Sequence, residues 1–326
     1  MLIDNYNRIH NYLRISLTNQ CNLRCTYCMP DEVPPSMPSA KLMQADEIVA
    51  ITGIFVKRGV DKIRLTGGEP LMRKDAAIII EQLAAYPVEL TMTTNGIFLH
   101  DFFPVLQQAG IRSLNISLDT LKPERFQQIT KRDKFKTTQT NIFRALDLGF
   151  RVKINVVVMR GVNDDEVLDF IKWAKDFPVH IRFIEYMPFA GNYWSKEKVL
   201  TWQEILQTVS DEYDIVPLNR DKHDTAKKYK VVGHEGTFAV ISTMTSPFCS
   251  DCNRMRLTAD GKMKNCLFSQ GETDLLSAFR NGEDIEPLII SSIKSKKAER
   301  GGQITGTHET TDVNTIVNRS MINIGG

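Results

Sequence analysis

Long apolar runs are missing from this 326-residue chain: no stretch reaches the 18 residues that a membrane-spanning helix needs. The longest, such as 156–159, have the length of a buried strand. A surplus of charge is missing too. The 41 Lys and Arg against 39 Asp and Glu leave a net +2, which gives no sign of bulk nucleic-acid binding, although a local basic patch could still hold a polyanion. No cysteine lies outside two trios: the six are Cys21, Cys25, Cys28, Cys249, Cys252 and Cys266. That usage argues for metal binding over disulfides, and a chain of this length buries enough surface to fold without them. Asp4, Arg8 and His10 interrupt any apolar run near the start, so no signal peptide and a cytoplasmic location are expected. Internal repeats and low-complexity tracts are absent as well. The 42% hydrophobic and 25% charged content is that of a soluble globular protein with one large domain or two smaller ones.

What is present is an alternation. Apolar period-2 or continuous runs predict strands at 13–17, 62–66, 88–93, 113–118, 152–159 and 180–185. Helical periodicity predicts helices at 44–58, 74–85, 99–109, 123–129, 136–148 and 164–176. Gly59, Gly110 and Gly149 each follow a helix, as capping glycines do. The alternation implies a parallel sheet with helical crossovers, either an open doubly wound sheet or a full or partial barrel. Polar motifs follow the strands: Thr66-Gly67-Gly68-Glu69-Pro70, Thr93-Thr94-Asn95-Gly96, Ser117-Leu118-Asp119-Thr120 and Glu185-Tyr186-Met187-Pro188. Parallel α/β folds build their sites at these carboxyl ends. Six units are too few for a closed eight-stranded barrel, so a partial barrel open on one side is expected. Beyond about residue 215 the pattern changes. The polar, basic segment 219–230 reads as a linker or surface loop, followed by short β-like pieces at 238–242 and 255–258 and a helix near 275–280. The expected division is 1–220 and 221–326.

Cys21, Cys25 and Cys28 have the spacing C-x3-C-x2-C directly after the first strand. Three thiolates on one loop can converge on a [4Fe–4S] cluster and leave one iron free for a substrate or cofactor. Structural zinc is the alternative, but it wants four ligands, and His10 lies across the predicted strand. Cys249, Cys252 and Cys266 repeat the same deficit. There His223 or His234 could complete a zinc site, so both metals remain open.

The cysteine motif with Tyr27 before its last member, together with Gly67-Gly68-Glu69-Pro70 after the second strand, resembles the radical S-adenosylmethionine (SAM) superfamily. Further features are similar to the GTP 3′,8-cyclase family, which performs the first step of molybdenum cofactor biosynthesis. They are Tyr12-Leu13-Arg14-Ile15-Ser16, Arg64 before Leu65-Thr66-Gly67-Gly68-Glu69, Cys249-x2-Cys252-Asn253-Arg254-Met255-Arg256 with Cys266, and Ile324-Gly325-Gly326. The resemblance spans nearly the whole chain. Asn19 departs from it, standing where the family usually has an acidic residue.

The resemblance implies an α/β fold: a partial (βα)6 barrel of the triosephosphate-isomerase type, with a C-terminal extension that carries a second cluster and closes the open side. It implies two [4Fe–4S] clusters, the first chelating SAM and the second binding the purine of GTP. It assigns Tyr27, Gly68, Ser117 and Met187 to SAM, and Arg14, Arg64, Thr93, Lys153, Arg254, Met255 and Arg256 to GTP. The Gly325-Gly326 tail would enter the active site. The residues themselves agree in part. Arg254 and Arg256, two apart on a strand, face one way, and guanidinium forks suit phosphate oxygens. Only glycine permits the close backbone approach proposed at Gly67 and Gly68. Implied partners are cyclic pyranopterin monophosphate synthase downstream, an electron donor and a second copy in a homodimer, with no membrane or nucleic acid. A radical SAM peptide-modifying enzyme is an alternative, although it would carry more C-terminal cysteines. A non-catalytic zinc-binding module is another, which iron and sulfide analysis would separate.

Overall fold

The structure is a computed structural model that describes residues 1–29 and 37–326. Strand and helix alternate through β1 (Tyr12–Ser16), α1 (Ala45–Lys57), β2 (Lys62–Thr66), α2 (Ala76–Ala84), β3 (Glu89–Thr94), α3 (Leu99–Gln108) and β4 (Ser113–Ser117). They continue through α4 (Pro123–Thr130), α5 (Phe135–Asp147), β5 (Arg151–Val158), α6 (Val167–Asp176) and β6 (His180–Glu185). Each predicted strand and helix of this half is present. The helix expected from residue 164 opens as a separate turn of 3-10 helix, Asp164–Glu166. Beyond β6 come α7 (Trp202–Ser210), β7 (Ile215–Pro217), β8 (Lys227–Val231), β9 (Thr237–Ile241), β10 (Arg254–Leu257), β11 (Lys262–Lys264) and β12 (Thr273–Asp274). Then follow α8 (Leu275–Arg280), α9 (Glu286–Lys294) and α10 (Met321–Ile324).

Local chemistry explains the helix starts. Gln44 and Glu47 form a capping box at the head of α1, and Thr201 and Glu204 do the same for α7. On α1, Ile48, Ile51 and Phe55 are buried at helical spacing against the sheet. Gly59, Gly110 and Gly149 all take positive φ where they end their helices.

All strands join one mixed sheet in the order β12-β11-β10-β1-β2-β3-β4-β5-β6-β9-β8-β7. Eight neighbours, from β10 through β1–β6 to β9, are parallel, while β11–β12 and β8–β7 extend the two ends in antiparallel fashion. The C-terminal segments therefore extend both ends of the sheet begun by β1–β6. The expected loop at 219–230 is partly strand, because Lys227–Lys230 belongs to β8. Its lysines hide a β pattern that Tyr229 completes by stacking on Phe238 of β9, with ring centroids 5.3 Å apart.

One face of the parallel strands is apolar. Leu13 and Ile15, Ile63 and Leu65, Val152 and Ile154, Ile181 and Phe183, and Met255 and Leu257 are buried against the helices. Each such side chain contributes about 1.5–3 kcal/mol relative to exposure. The alternate positions carry Arg14, Arg64, Lys153, Arg182, Arg254 and Arg256, and this polar face positions the site. Among the described residues no helix is long and apolar enough to cross a membrane.

Candidate functional site

The polar face opens on a cavity of about 760 Å³. Tyr12 and Arg14 of β1, Lys62 and Arg64 of β2, Lys153 of β5, Arg182 of β6, and Arg254 and Arg256 of β10 all line it. Strand register sets the charges side by side. Arg256 is the Cα partner of Arg14, and Arg14 of Arg64. Two residues earlier, Arg254 pairs with Tyr12, and Tyr12 with Lys62. Like charges directly opposite one another destabilise a sheet unless an anion lies between them. Lys62 has a partner in Glu89 at 2.8 Å. No Asp or Glu pairs with Arg14, Arg64, Arg182 or Arg256 among the described residues, and the Arg14 Nε is buried without an acceptor.

The electrostatics carry the mark of this crowding. Burial, Arg256 and Arg64 hold the Arg14 guanidinium well below its ordinary value. Burial and Arg64 bring Arg182 down to about 10, and burial followed by Arg182, Arg64 and Lys62 brings Lys153 down to about 8. Burial would push the Tyr12 phenol up, but Arg64, Arg14 and Lys62 outweigh it and lower it to about 8. Tyr12 also hydrogen-bonds the Arg64 Nε through its hydroxyl. The cavity is a desolvated cationic cup whose charges favour a polyanion.

The Gly325-Gly326 segment reaches this cup. Arg256 donates to the Gly325 carbonyl, and Arg14 donates to a Gly326 oxygen at 2.7 Å. Gly325 has φ +88°, and a Cβ there would lie 2.8 Å from both Ser16 Cβ and Thr66 Oγ1. The close approach is thus at Gly325, while a Cβ on Gly326 would meet nothing within 4 Å.

The first trio sits on the loop after β1, beside the Gly67-Gly68 turn after β2. Gly68 N–H donates to Thr18 O at 2.7 Å, and Glu69 N–H donates to Gln20 O at 2.7 Å. A Cβ on Gly68 would lie 2.6 Å from the Gln20 carbonyl carbon and 3.1 Å from Cys21 N. Glu69 is fully buried and accepts from Leu71 N, Thr94 Oγ1 and Asn95 N. Burial outweighs these bonds and pushes its carboxyl up to about 7. Asn95 in turn donates to Asn22 Oδ1 at 2.7 Å and lies 3.8 Å from Cys21 Sγ. The Tyr27 hydroxyl donates to Asp119 Oδ2 at 2.8 Å, and Asp119 Oδ1 accepts from Val157 N. The Asn192 amide donates to both Met187 O (2.8 Å) and Tyr27 O (3.3 Å), joining two of the residues assigned to SAM.

These observations test the thiols as ligands. Burial pushes Cys21 up to about 11, Cys28 up to about 12 and Cys25 well above the ordinary thiol value. Thiolates in this first trio therefore call for a cationic partner, which iron supplies. In the second trio burial also raises Cys252, but Arg254 and Lys296 outweigh it and bring it down to about 6. Arg300 N–H donates to Cys249 Sγ at 3.5 Å. Among the described residues no three His, Cys, Asp or Glu group as ligands of a single metal ion. Of the histidines weighed for zinc, His234 packs edge-on against Tyr213 and is not among the residues that line the cavity, whereas His223 lines it and sets its Nδ1 2.5 Å from Asp251 O within the second cysteine loop. All-cysteine donor sets of three, held by backbone N–H groups and cations, fit iron–sulfur clusters.

Cys249, Cys252, Cys266, Met187 and Gly326 line the cavity with the cations, while Cys21, Cys25, Cys28, Tyr27 and Gly68 lie outside its wall. Thr93 and Ser117 also lie outside it, and the Thr93 hydroxyl is buried without a partner. The Met255 side chain is not brought to the site. It points to the opposite face of β10, fully buried in the apolar core, because strand alternation separates it from Arg254 and Arg256. Sequence reading passed over Lys62, Asn115, Asn155 and Arg182, which line the cavity. The period-2 signal that singled out Arg254 and Arg256 applies equally to Lys62 with Arg64, and to Lys153 with Asn155.

Residues 15–174 match the Radical SAM superfamily, and residues 179–301 match Molybdenum Cofactor Synthesis C. Streptococcus suis SuiB, in its crystal structure bound to S-adenosylmethionine, shares the fold: the TM-score is 0.64 over 97% of this chain and 77% of that one, at 14% identity. The class is thus radical SAM protein. The chain is 44% identical to the mitochondrial GTP 3′,8-cyclase of Arabidopsis thaliana, over 100% of its own length and 84% of that protein. It is 40% identical to the GTP 3′,8-cyclase of Syntrophomonas wolfei, over 91% of its length and 94% of that protein. Molybdenum cofactor biosynthesis protein 1 of Mus musculus is 44% identical, and this chain spans about half of it, 51%. The chain belongs to the GTP 3′,8-cyclase family.

Proposed function

We propose that this chain converts GTP to 3′,8-cyclo-7,8-dihydro-GTP as a radical SAM enzyme in molybdenum cofactor biosynthesis. The observation that carries the reading is the row of adjacent, buried or half-buried arginines without Asp or Glu partners, facing the cavity that the second cysteine trio also lines. Arg14, Arg64, Arg254 and Arg256, with Lys62, Lys153 and Arg182, hold the triphosphate. Cys21, Cys25 and Cys28 hold the first [4Fe–4S] cluster, and Tyr27, Gly68, Ser117 and Met187 frame SAM beside it. Cys249, Cys252 and Cys266 hold a second cluster on the wall where the purine would rest. When bound, the first cluster and SAM would supply a 5′-deoxyadenosyl radical to take the ribose 3′-hydrogen as 5′-deoxyadenosine; C3′ would then bond to guanine C8, and one electron, for which the second cluster would be the source, and one proton would complete the dihydro product. The protein's share is position: cations fix the triphosphate so that the ribose faces the radical source.

The sheet reads as a partial (βα)6 barrel, with residues 1–220 as its core and 221–326 closing its open side. Homodimerisation, an electron donor and a downstream cyclic pyranopterin monophosphate synthase complete the reading. Thiol clusters suit a reducing compartment, and the cytoplasm is our assignment.

Anaerobic reconstitution followed by incubation with GTP, SAM and dithionite tests the reaction. Absence of both 5′-deoxyadenosine and cyclised GTP rejects it. Arg254→Ala is expected to weaken GTP binding roughly 10- to 100-fold, the effect of one lost charge-assisted contact. Uncoupled cleavage of SAM should continue in that variant, and unchanged GTP affinity would remove Arg254 from the phosphate site.

Proton uptake gives a separate check. A bound polyanion raises both Lys153 and Tyr12 from about 8. The complex then holds more protons than the free protein just above that pH. Affinity is full below pH about 8 and falls as pH rises through the higher pKa values of the complex. Calorimetry at mildly alkaline pH, in two buffers of different ionisation enthalpy, should register net uptake that Lys153→Met reduces. Proton release on binding would contradict the assignment.

A further inference from the structure

One buried cation has no place in the reading above. Lys296 follows α9, and 4% of its surface is exposed. Its Nζ donates to Arg254 O at 2.9 Å, stands 3.6 Å from Cys252 Sγ and meets His10 Nδ1 at 3.5 Å. Among the described residues no carboxylate forms an ion pair with it. The nearest acid in its network, Asp4, is already engaged: Arg8 Nε lies 2.6 Å from Asp4 Oδ2 and His10 Nε2 lies 3.0 Å from it. A buried ammonium without an anion costs several kcal/mol. The Cys252 sulfur is the group at contact that can carry compensating charge.

The lysine is also fixed in place. Arg8 donates to Cys249 O at 2.8 Å, to Ala298 O at 2.7 Å and to Lys297 O at 2.8 Å. One guanidinium thus ties the backbone that carries Lys296 to the loop that carries Cys249. The hydrogen bond from His10 N to Leu2 O, 2.8 Å, closes the N-terminal arch that bears Arg8 and His10. The arch, the segment after α9 and the second cysteine loop therefore form one braced unit.

We propose that Lys296 is a positioning residue for the second trio: its ammonium fixes the Cys252 sulfur and raises the reduction potential of the cluster that Cys249, Cys252 and Cys266 hold. The inference rests on the two-cluster reading. A fixed positive charge and a hydrogen bond at a ligand sulfur stabilise the more negative, reduced cluster, so removing them shifts the potential downward.

The test uses the full chain with Cys21, Cys25 and Cys28 changed to Ala, so that iron binds only at the second trio. Iron and sulfide analysis and a redox titration followed by electron paramagnetic resonance are run on this parent, on Lys296→Met and on Lys296→Arg. The expected result is a more negative midpoint for Lys296→Met, or loss of its iron, with Lys296→Arg returning toward the parent. Equal midpoints and iron content in parent and Lys296→Met overturn the proposal. So does a Lys296→Arg variant that behaves like Lys296→Met. A folded parent that binds no iron overturns the two-cluster reading instead, and this proposal with it. If the triple variant is not recovered folded, the same titration on the otherwise natural chain decides. Only the second signal should then move in Lys296→Met, and movement of neither signal overturns the proposal.

Discussion

Gly68→Ala removes SAM cleavage: 5′-deoxyadenosine formation by the reconstituted protein falls by about 100-fold or more, the scale of loss when a reacting group is displaced by an ångström. The new methyl would lie 2.6 Å from the Gln20 carbonyl carbon and 3.1 Å from Cys21 N, both backbone atoms that cannot rotate away. Retreat is blocked, because the flanking bonds Gly68 N to Thr18 O and Glu69 N to Gln20 O, each 2.7 Å, pin the two loops together. Overpacking of this kind costs about 1–3 kcal/mol, and relief comes only by moving the loop that presents Cys21. Iron content of the variant and its rate are measured together. A rate within threefold of the natural protein, at full iron content, would show that the two loops have slack.

Gly325→Val separates cyclisation from cleavage. Its Cβ would meet Ser16 Cβ and Thr66 Oγ1 at 2.8 Å each, and a β-branched residue at φ +88° adds backbone strain of about 1–3 kcal/mol. The segment then leaves the cup, and Arg256 and Arg14 lose the Gly325 and Gly326 oxygens they now hold. Cyclised GTP should fall by about 100-fold, equivalent to about 2.7 kcal/mol of transition-state stabilisation. Cleavage of SAM without GTP, which depends on the Cys21 loop and the Gly67-Gly68 turn and not on the tail oxygens, should persist. Gly326→Ala is the control for the fold, since its methyl meets nothing within 4 Å, and its melting temperature should match the natural protein. Parallel loss of both activities in Gly325→Val would mean that the tail supports the fold as a whole.

The contrast between Arg256 and Met255 shows how far local pattern reaches. Two arginines spaced by one residue on a strand must face the same way, and the residue between them must face the other, so the burial of Met255 was legible once β10 was recognised as a strand. The same alternation puts Leu13 and Ile15 in the core and Arg14 on the cavity. Strand runs, capping boxes and cysteine spacings act over a few residues, and the chain states them directly. The lysine-rich stretch of β8 was misread as loop for the converse reason. Its strand character depends on pairing with β9, which no local signal reports.

Taken by itself, the sequence determined that this is an α/β chain with two all-cysteine trios, a glycine turn beside the first, and paired cations on strands. Only the tertiary structure decided that β10 lies parallel to β1, placing Arg256 opposite Arg14 and Arg64 in one row. It also brought Gly325 under those arginines, joined Glu69 to Asn95, and set Lys296 against Cys252. The physical reason is range. Periodicity and turn chemistry are short-range properties of the backbone, whereas strand order and the company kept by a buried charge are settled when distant segments bury their apolar faces together.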